Sequence, residues 1–414
     1  MIAAYVVLVR WTYAYATSPA WRSGWSTALW AGAVVVVVRA LSDVNRTSLH
    51  HFYRERLATT FLVQRLRTGE AKAEPYDKPL RVSDQAGASA GRPELVMAAV
   101  ANVADADYVP AGRGCVPFVI SAARTGVVGD PSLPPGGTRA TQEYEYSADF
   151  DRRDLTVPAA MAISGAAVSP LAGRASSRTR PVRVLLTVLN ARLGVWLPNP
   201  YARPPALTTK ALRERDRAGE PDATSRDRWR ARGWVVAARA TSLATKPGPY
   251  RLLREAFGRP SLYDRRLYVT DGGHYDNLGL LEALRRRPDR VVVIDASNDA
   301  ENSFGALADA VATARMDLGI EVDVDTTRLR SSDTARAASA WSVGTATYPA
   351  DDGPAHVADV VFLKALLTDD LTADVEHYTL DNPDFPRRST GDQSYDEWDF
   401  EAYRQLGHSL ADTW

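Results

Sequence analysis

The sequence predicts an α/β fold, because strand and helix patterns alternate between residues 267 and 325. Residues 267–270 and 291–295 are apolar runs typical of β-strands, and residues 320–324 alternate as a third strand. Helical spacing of apolar residues separates each strand from the next. The order strand, helix, strand, helix, strand is typical of a mainly parallel sheet with right-handed crossovers. We therefore predict that the first two strands are parallel neighbours, or near-neighbours, in one sheet.

Each element of this stretch carries its own signal. The pair Gly272 and Gly273 ends the first strand in a tight turn. The helix that follows is expected over residues 277–287, with leucines on one face. The run RVVVIDAS is continuously apolar, which is typical of a strand buried on both faces. The second helix is expected to be capped at residues 302–303 and to end at Gly319.

Composition limits the classes of protein to consider. The 414 residues include fifty basic and fifty acidic side chains, so no net charge indicates a nucleic-acid partner. A hydrophobic content of 45% is enough for a sizeable core. The single cysteine, Cys115, excludes an internal disulfide and a thiolate metal cluster. We expect one domain over residues 41–414, with insertions at about 172–260.

The first forty residues are more apolar than the rest. Residues 1–9 form one apolar run, and residues 24–38 form a second that is bordered by Arg22 and Arg39 and has several tryptophans in or near it. The second run is short for a bilayer-spanning helix, which needs about 20 residues, but arginine and aromatic borders favour a transmembrane helix or tight membrane apposition through residues 24–39. We expect the protein at the cytoplasmic side of the membrane. A buried core helix is the alternative. Either reading predicts a continuous helix over residues 25–39, which projects from the body if it meets the membrane.

Asp271 is the first candidate for chemistry. It stands at the end of a predicted strand, where ligands collect in parallel α/β sheets, and Asp295 stands at the end of the next. The glycines Gly272 and Gly273 would let the backbone turn sharply and present the carboxylate to a cleft. A carboxylate there could deprotonate a nucleophile as a general base. Taken alone, Asp-Gly-Gly is equally typical of a simple turn.

The surrounding sequence, TDGGHYDNLGLLEAL, resembles the second catalytic block of the patatin-like and cytosolic phospholipase A families. The resemblance extends to further blocks in the order of the bacterial membrane-linked branch, at residues 43–57, 160–170, 190–200, 374–390 and 400–408. It implies a patatin-like three-layer sandwich and a lipid acyl ester hydrolase that acts on a membrane lipid or other acyl ester. It also implies that Asp271 is the base of a Ser-Asp dyad, with Asn277 as a structural neighbour.

The nucleophile of that dyad is missing from its expected context. The family carries a glycine-rich loop and a GxSxG elbow between a strand and a helix, but the literal GxSxG around Ser89 lacks both flanking elements. Ser164, between a possible strand at 159–163 and a possible helix at 165–168, is a rival nucleophile or a residue that lines the site. We therefore expect an N-terminally truncated sandwich that corresponds to the C-terminal half of the family and is inactive alone.

Two alternatives remain open. His274, together with Asp271 and Asp276, could be argued as a metal cluster, but the three lie on one short loop without the usual ligand spacing. A Ser-Asp dyad needs no histidine, metal or cofactor, so we expect none. The alternative function is a non-catalytic, membrane-associated scaffold or interaction protein with a degenerate patatin-like fold. The coding sequence upstream of Met1 would discriminate between the two functions.

Overall fold

A computed structural model describes residues 43–413 apart from 74–79, 88–92, 106, 130–132, 149–153, most of 203–223, 300, 331–335, 351–355 and 390–394, together with three positions before residue 43. The strands are β1 (Val63–Arg65), β2 (Ala71–Ala73), β3 (Val96–Asn102), β4 (Cys115–Ser121), β5 (Arg124–Val127), β6 (Thr138–Ala140), β7 (Val195–Pro198), β8 (Arg266–Asp271), β9 (Arg290–Asp295), β10 (Glu321–Val324), β11 (Trp341–Thr347) and β12 (Val357–Lys364). The helices are α1 (His50–Phe61), α2 (Thr141–Ala148), α3 (Val157–Ser164), α4 (Ser176–Thr179), α5 (Arg183–Val188), α6 (Ser225–Thr245), α7 (Tyr250–Phe257), α8 (Leu280–Arg285), α9 (Gly305–Leu318), α10 (Ala373–Asp381) and α11 (Glu397–Asp412).

The first large sheet is antiparallel throughout. Its strands lie in the order β6-β5-β4-β3-β8-β7, and each neighbouring pair is antiparallel. Strand β8 therefore lies between β3 and β7, and Asp271 pairs with Ala99. Helix α3 packs against β3 and β8. The segment 172–260, where we expected insertions, also supplies β7 to this sheet.

The second sheet is mixed. Its order is β10-β11-β12-β9, with only the β12–β9 pair parallel among its neighbours. Helices α8, α9, α10 and α11 cover one face and build a core with the inward residues of β9 and β12. The other face is open, because Val292 and Ile294 of β9 are exposed between buried neighbours. The expectation that this strand is buried on both faces is wrong.

The predicted fold class is wrong. The strands at 267–270 and 291–295 both exist, but they lie in different sheets and are not parallel neighbours. The architecture is a mostly antiparallel, curled sheet with a mixed second sheet, and it is not a three-layer parallel sandwich. The physical reason is that apolar periodicity identifies a strand without specifying its partner. Here β9 finds its parallel partner in β12, more than sixty residues along the chain.

The predicted hydrophobic helix over residues 25–39 lies outside the described residues. The helices within the described part of the chain include none long and apolar enough to cross a bilayer. The prediction of a transmembrane helix therefore has no support in the part of the chain that the structure describes.

Candidate functional site

Asp271 stands where a buried strand ends in a short 3-10 turn. The four preceding residues of β8 are almost fully buried, so the strand is held rigidly in the first sheet. The Asp271 carboxylate then accepts a hydrogen bond from the Gly273 N–H at 2.7 Å and begins the turn Gly272–His274. Burial raises the pKa of Asp271 to about 6, and the Gly273 hydrogen bond only partly opposes that rise. The carboxyl group can therefore exchange a proton near neutral pH.

The two glycines after Asp271 are closely packed. A Cβ on Gly272 would lie 2.6 Å from the carbonyl oxygen of Ala98 in β3. A Cβ on Gly273 would lie 2.6 Å from Oδ1 of Asn277 and 3.2 Å from Oδ1 of Asp271. The Gly272 contact is with backbone and leaves no room for a side chain, whereas a side chain at Gly273 would have to displace the side-chain ends of Asn277 and Asp271. The Gly-Gly pair thus lets the turn lie directly against β3 and places Asn277 beside the Asp271 loop.

Substitution of Gly272 tests this close approach. We expect Gly272→Ala to lower the free energy of unfolding by about 1–3 kcal/mol, because the obstructing atoms belong to the backbone of a central strand and cannot rotate away. Gly407→Ala is the matched control. Gly407 lies in α11 with no atom within 4 Å of its Cβ position, so alanine there should raise stability by up to about 1 kcal/mol. Urea denaturation measures both; equal effects would contradict the packing argument.

Ser164 lies near this turn but is not on a nucleophile elbow. It is the last residue of helix α3, so the expectation of a strand at 159–163 that turns sharply at Ser164 is wrong. Its hydroxyl donates a hydrogen bond of 2.7 Å to the carbonyl oxygen of Ala98, the same oxygen that Gly272 approaches. Ser164 therefore borders the Asp271 turn, while its proton is held by a backbone carbonyl and not by a carboxylate.

Tyr53 borders one side of the site, and no sequence pattern indicated this residue. Helix α1 packs across α3, and the Tyr53 hydroxyl lies 2.9 Å from the position that a Cβ of Gly165 would occupy. Burial raises the pKa of Tyr53, and the negative charge of Asp271 raises it further. The phenol is therefore neutral near neutral pH, and it lies within range of the Asp271 charge.

Behind the turn, a buried polar chain fixes its position. The Asn102 side chain donates to the Thr270 hydroxyl at 2.9 Å, and that hydroxyl contacts Nδ1 of His274 at 3.2 Å. Asn102 also accepts from the Gly173 N–H at 3.0 Å, which ties the loop after α3 to the sheet. Burial lowers the pKa of His274 to about 4, so its imidazole is neutral at physiological pH. His274 is placed to orient the turn and not to carry charge.

Asp276 is a structural cap. Its carboxylate accepts hydrogen bonds from the N–H groups of Leu278 at 3.0 Å and Leu281 at 2.7 Å, which explains why α8 begins at Leu280 and not at residue 277. In the described part of the chain, no group of three or more His, Cys, Asp or Glu side chains is arranged to hold a metal ion. Ser89 lies outside the described residues.

A separate depression of about 330 Å³ lies on the open face of the second sheet, lined by Arg290, Val343, Gly344, Asp359 and Val361. Its charged side chains, Arg290 and Asp359, pair with each other at 3.1 Å. The depression lies on the other sheet from Asp271, and its two charged side chains are already paired with each other, so we do not assign chemistry to it.

The chain matches no family model, no curated protein and no solved structure. The resemblance to patatin-like hydrolases therefore rests on the sequence blocks alone. It stays a prediction, and the geometry around Asp271 has to support any function independently.

Proposed function

We propose that the protein is a lipid acyl ester hydrolase in which Asp271 is the general base. The observation that carries the proposal is the state of the Asp271 carboxyl group. It is partly buried on a tight turn, its pKa is raised to about 6, and no basic side chain of the described residues forms an ion pair with it. A structural carboxylate is normally paired or multiply hydrogen-bonded, whereas a base must be free to accept a proton.

The nucleophile in this proposal is the serine of a GxSxG elbow, which the family resemblance implies and which the 414 residues do not show between a strand and a helix. Its hydroxyl oxygen attacks the ester carbonyl carbon, and Asp271 accepts the hydroxyl proton. The bond from the carbonyl carbon to the alcohol oxygen then breaks, and the proton passes to the departing alcohol. Water attacks the resulting acyl-enzyme by the same route and releases the fatty acid. Tyr53, neutral and close to Asp271, could stabilise the carboxylate between these steps.

A direct test compares two proteins with a chromogenic short-chain acyl ester. We expect the 414-residue chain alone to hydrolyse the ester no faster than a buffer control, because Ser164 is bonded to a backbone carbonyl. Joined to a native upstream segment that carries a GxSxG elbow, the same chain should turn over.

Two results would contradict the proposal in different ways. Turnover by the isolated chain that disappears in Ser164→Ala would make Ser164 the nucleophile. A joined protein that stays at the buffer rate with short and long acyl chains would leave the non-catalytic interaction protein as the remaining function.

A further inference from the structure

Helix α7 has its polarity reversed relative to a normal surface helix. Its charged residues Arg251 and Glu255 are buried, whereas Tyr250, Leu253 and Phe257 face outward. The buried pair serves an internal network in which Glu255 accepts from the Trp196 indole at 2.6 Å. A surface helix usually turns its apolar stripe inward. The apolar side of α7 is therefore exposed, which is typical of a surface that binds a partner other than water.

Helix α5 packs beside α7 and extends the same apolar surface. Together the two helices and their ends form what we call the α5–α7 face. Its apolar side chains have exposed fractions from 46% to 72% and are Val182, Val184, Leu185, Val188, Leu189, Tyr250, Leu253 and Phe257. Scattered exposed apolar residues are normal, but a contiguous set on two packed helices marks an interaction surface.

The exposed charge within the two chain segments that form this face has one sign. Arg180 and Arg259 are exposed at its ends, and residues 176–193 and 246–260 contain no acidic residue other than the buried Glu255. A second copy of the chain would bring like charges together, which disfavours self-association through this face. The apolar segment 24–38 of the same chain contains no charged residue, so it could cover the aliphatic side chains but would leave the arginines uncompensated. An anionic lipid surface matches both properties.

The face is also adjacent to the candidate site. Arg183 of α5 donates to the Pro170 carbonyl oxygen at 3.1 Å, in the loop that follows α3. In the same loop region, a Cβ on Gly173 would lie 2.9 Å from the carbonyl oxygen of His274, in the turn that Asp271 begins. On the other side, the Val44 N–H donates to the Pro247 carbonyl just before α7, so the chain that follows the apolar segment 24–38 enters the body beside this face.

We propose that the α5–α7 face binds the surface of a bilayer that contains anionic lipid, with Leu253, Phe257 and the α5 aliphatic side chains entering the headgroup region. Arg180 and Arg259 then lie level with the phosphates. The inference deepens the proposed function, since it names the surface through which a lipid substrate would be met. It concerns binding alone, so it can fail or succeed without regard to hydrolysis.

Sedimentation with vesicles tests the proposal on the full 414-residue chain. We expect binding to phosphatidylcholine vesicles that contain phosphatidylglycerol and much weaker binding to phosphatidylcholine alone. The double variant Leu253→Ser, Phe257→Ser should bind at least about tenfold more weakly, because each side chain contributes apolar burial. Arg180→Gln with Arg259→Gln should reduce the preference for anionic vesicles and leave the weak residual binding unchanged.

The matched control is Val292→Ser with Ile294→Ser, which removes two exposed aliphatic side chains from the open face of the second sheet and should leave vesicle binding unchanged. Asp271→Asn should also bind like the parent. Undiminished binding by the Leu253 and Phe257 variant would overturn the proposal. So would a dimer in solution that this variant dissociates, or binding that is lost only when residues 1–42 are removed.

Discussion

Asp271→Asn is expected to lower kcat/KM of the active, elbow-bearing protein by about 10³-fold or more, the contribution typical of a positioned general base. Asparagine keeps the shape of the side chain, and its Oδ1 can still accept the Gly273 N–H bond, but it cannot take a proton at neutral pH. Hydrolysis of a short-chain ester measures the effect. Asp359→Asn, at an exposed carboxylate on the second sheet, is the control and should leave the rate unchanged.

The pH dependence of kcat/KM in the unsubstituted, elbow-bearing protein tests the same role of Asp271 as a base. Because Asp271 must be ionised to act as a base, kcat/KM should rise with pH through about 6 and level off above it. The fold should respond in the opposite sense. Burial raises the folded pKa above the ordinary value of 3.8, so stability from the bound proton is present at low pH and is lost as the pH rises from about 4 through about 6.

Stability therefore separates a catalytic defect from unfolding. At about pH 8 the Asp271→Asn variant has no buried charge at this position. The urea concentration at its midpoint of unfolding should therefore be at least as high as that of the parent. An inactive variant that is equally or more stable supports the role of base. Full activity in Asp271→Asn would remove the dyad assignment, and a loss explained by unfolding would leave the proposal without its main support.

Local sequence was sufficient to locate several elements. The strand before Asp271 and the strand at 291–295 are present, and helix α9 is terminated by Gly319, the residue after its last one, whose left-handed backbone (φ 65°) suits glycine. These features depend on neighbouring residues only. The pairing of strands depends on residues far apart: β8 pairs with β3, which precedes it by about 170 positions in the chain. No periodicity near residue 270 contains that information.

The candidate site, like the fold, could be predicted from the sequence only where local features determine it. Asp271 and its glycines stand out because the turn is local, whereas Tyr53 and Asn102 reach the site through packing of distant segments. Helix α3, which we predicted as a strand, did have a readable signal. Thr156 caps it by accepting from the Ala159 N–H, and a proline stands in its first turn. Weighing that start signal above the apolar run would have placed Ser164 at a helix end.

Asp295 shows why two aspartates at strand ends can differ in role. The sequence makes it a candidate like Asp271, and a substitution there could be taken as a mild control. In the structure its carboxylate accepts a hydrogen bond from the Lys364 ammonium group at 2.9 Å, and both side chains are essentially without solvent contact. Asp299 lies 3.5 Å from the same ammonium group. The pair joins the carboxyl ends of the parallel strands β9 and β12.

Asp295→Asn is therefore expected to lower the free energy of unfolding by about 3 kcal/mol, because it leaves the buried Lys364 charge with only its longer contact to Asp299. The other end of the same strand pair offers a matched control. Arg290 and Asp359 are also opposite each other in β9 and β12, but their side chains are 62% and 63% exposed. Asp359→Asn should cost less than about 1 kcal/mol, since water solvates the arginine that remains.

The double variant Asp295→Asn, Lys364→Met decides whether the loss comes from the unpaired charge. Methionine fills a volume similar to that of the lysine chain without a charge to bury, so the double variant should recover about 2 kcal/mol of the loss. Chemical denaturation measures the free energy of unfolding of all three proteins, and the comparison requires that the dependence of that free energy on denaturant concentration is the same in each. If Asp295→Asn is no more destabilising than Asp359→Asn, the pair does not hold β9 to β12. If the double variant recovers nothing, the loss arises from packing around the pair and not from the lysine charge.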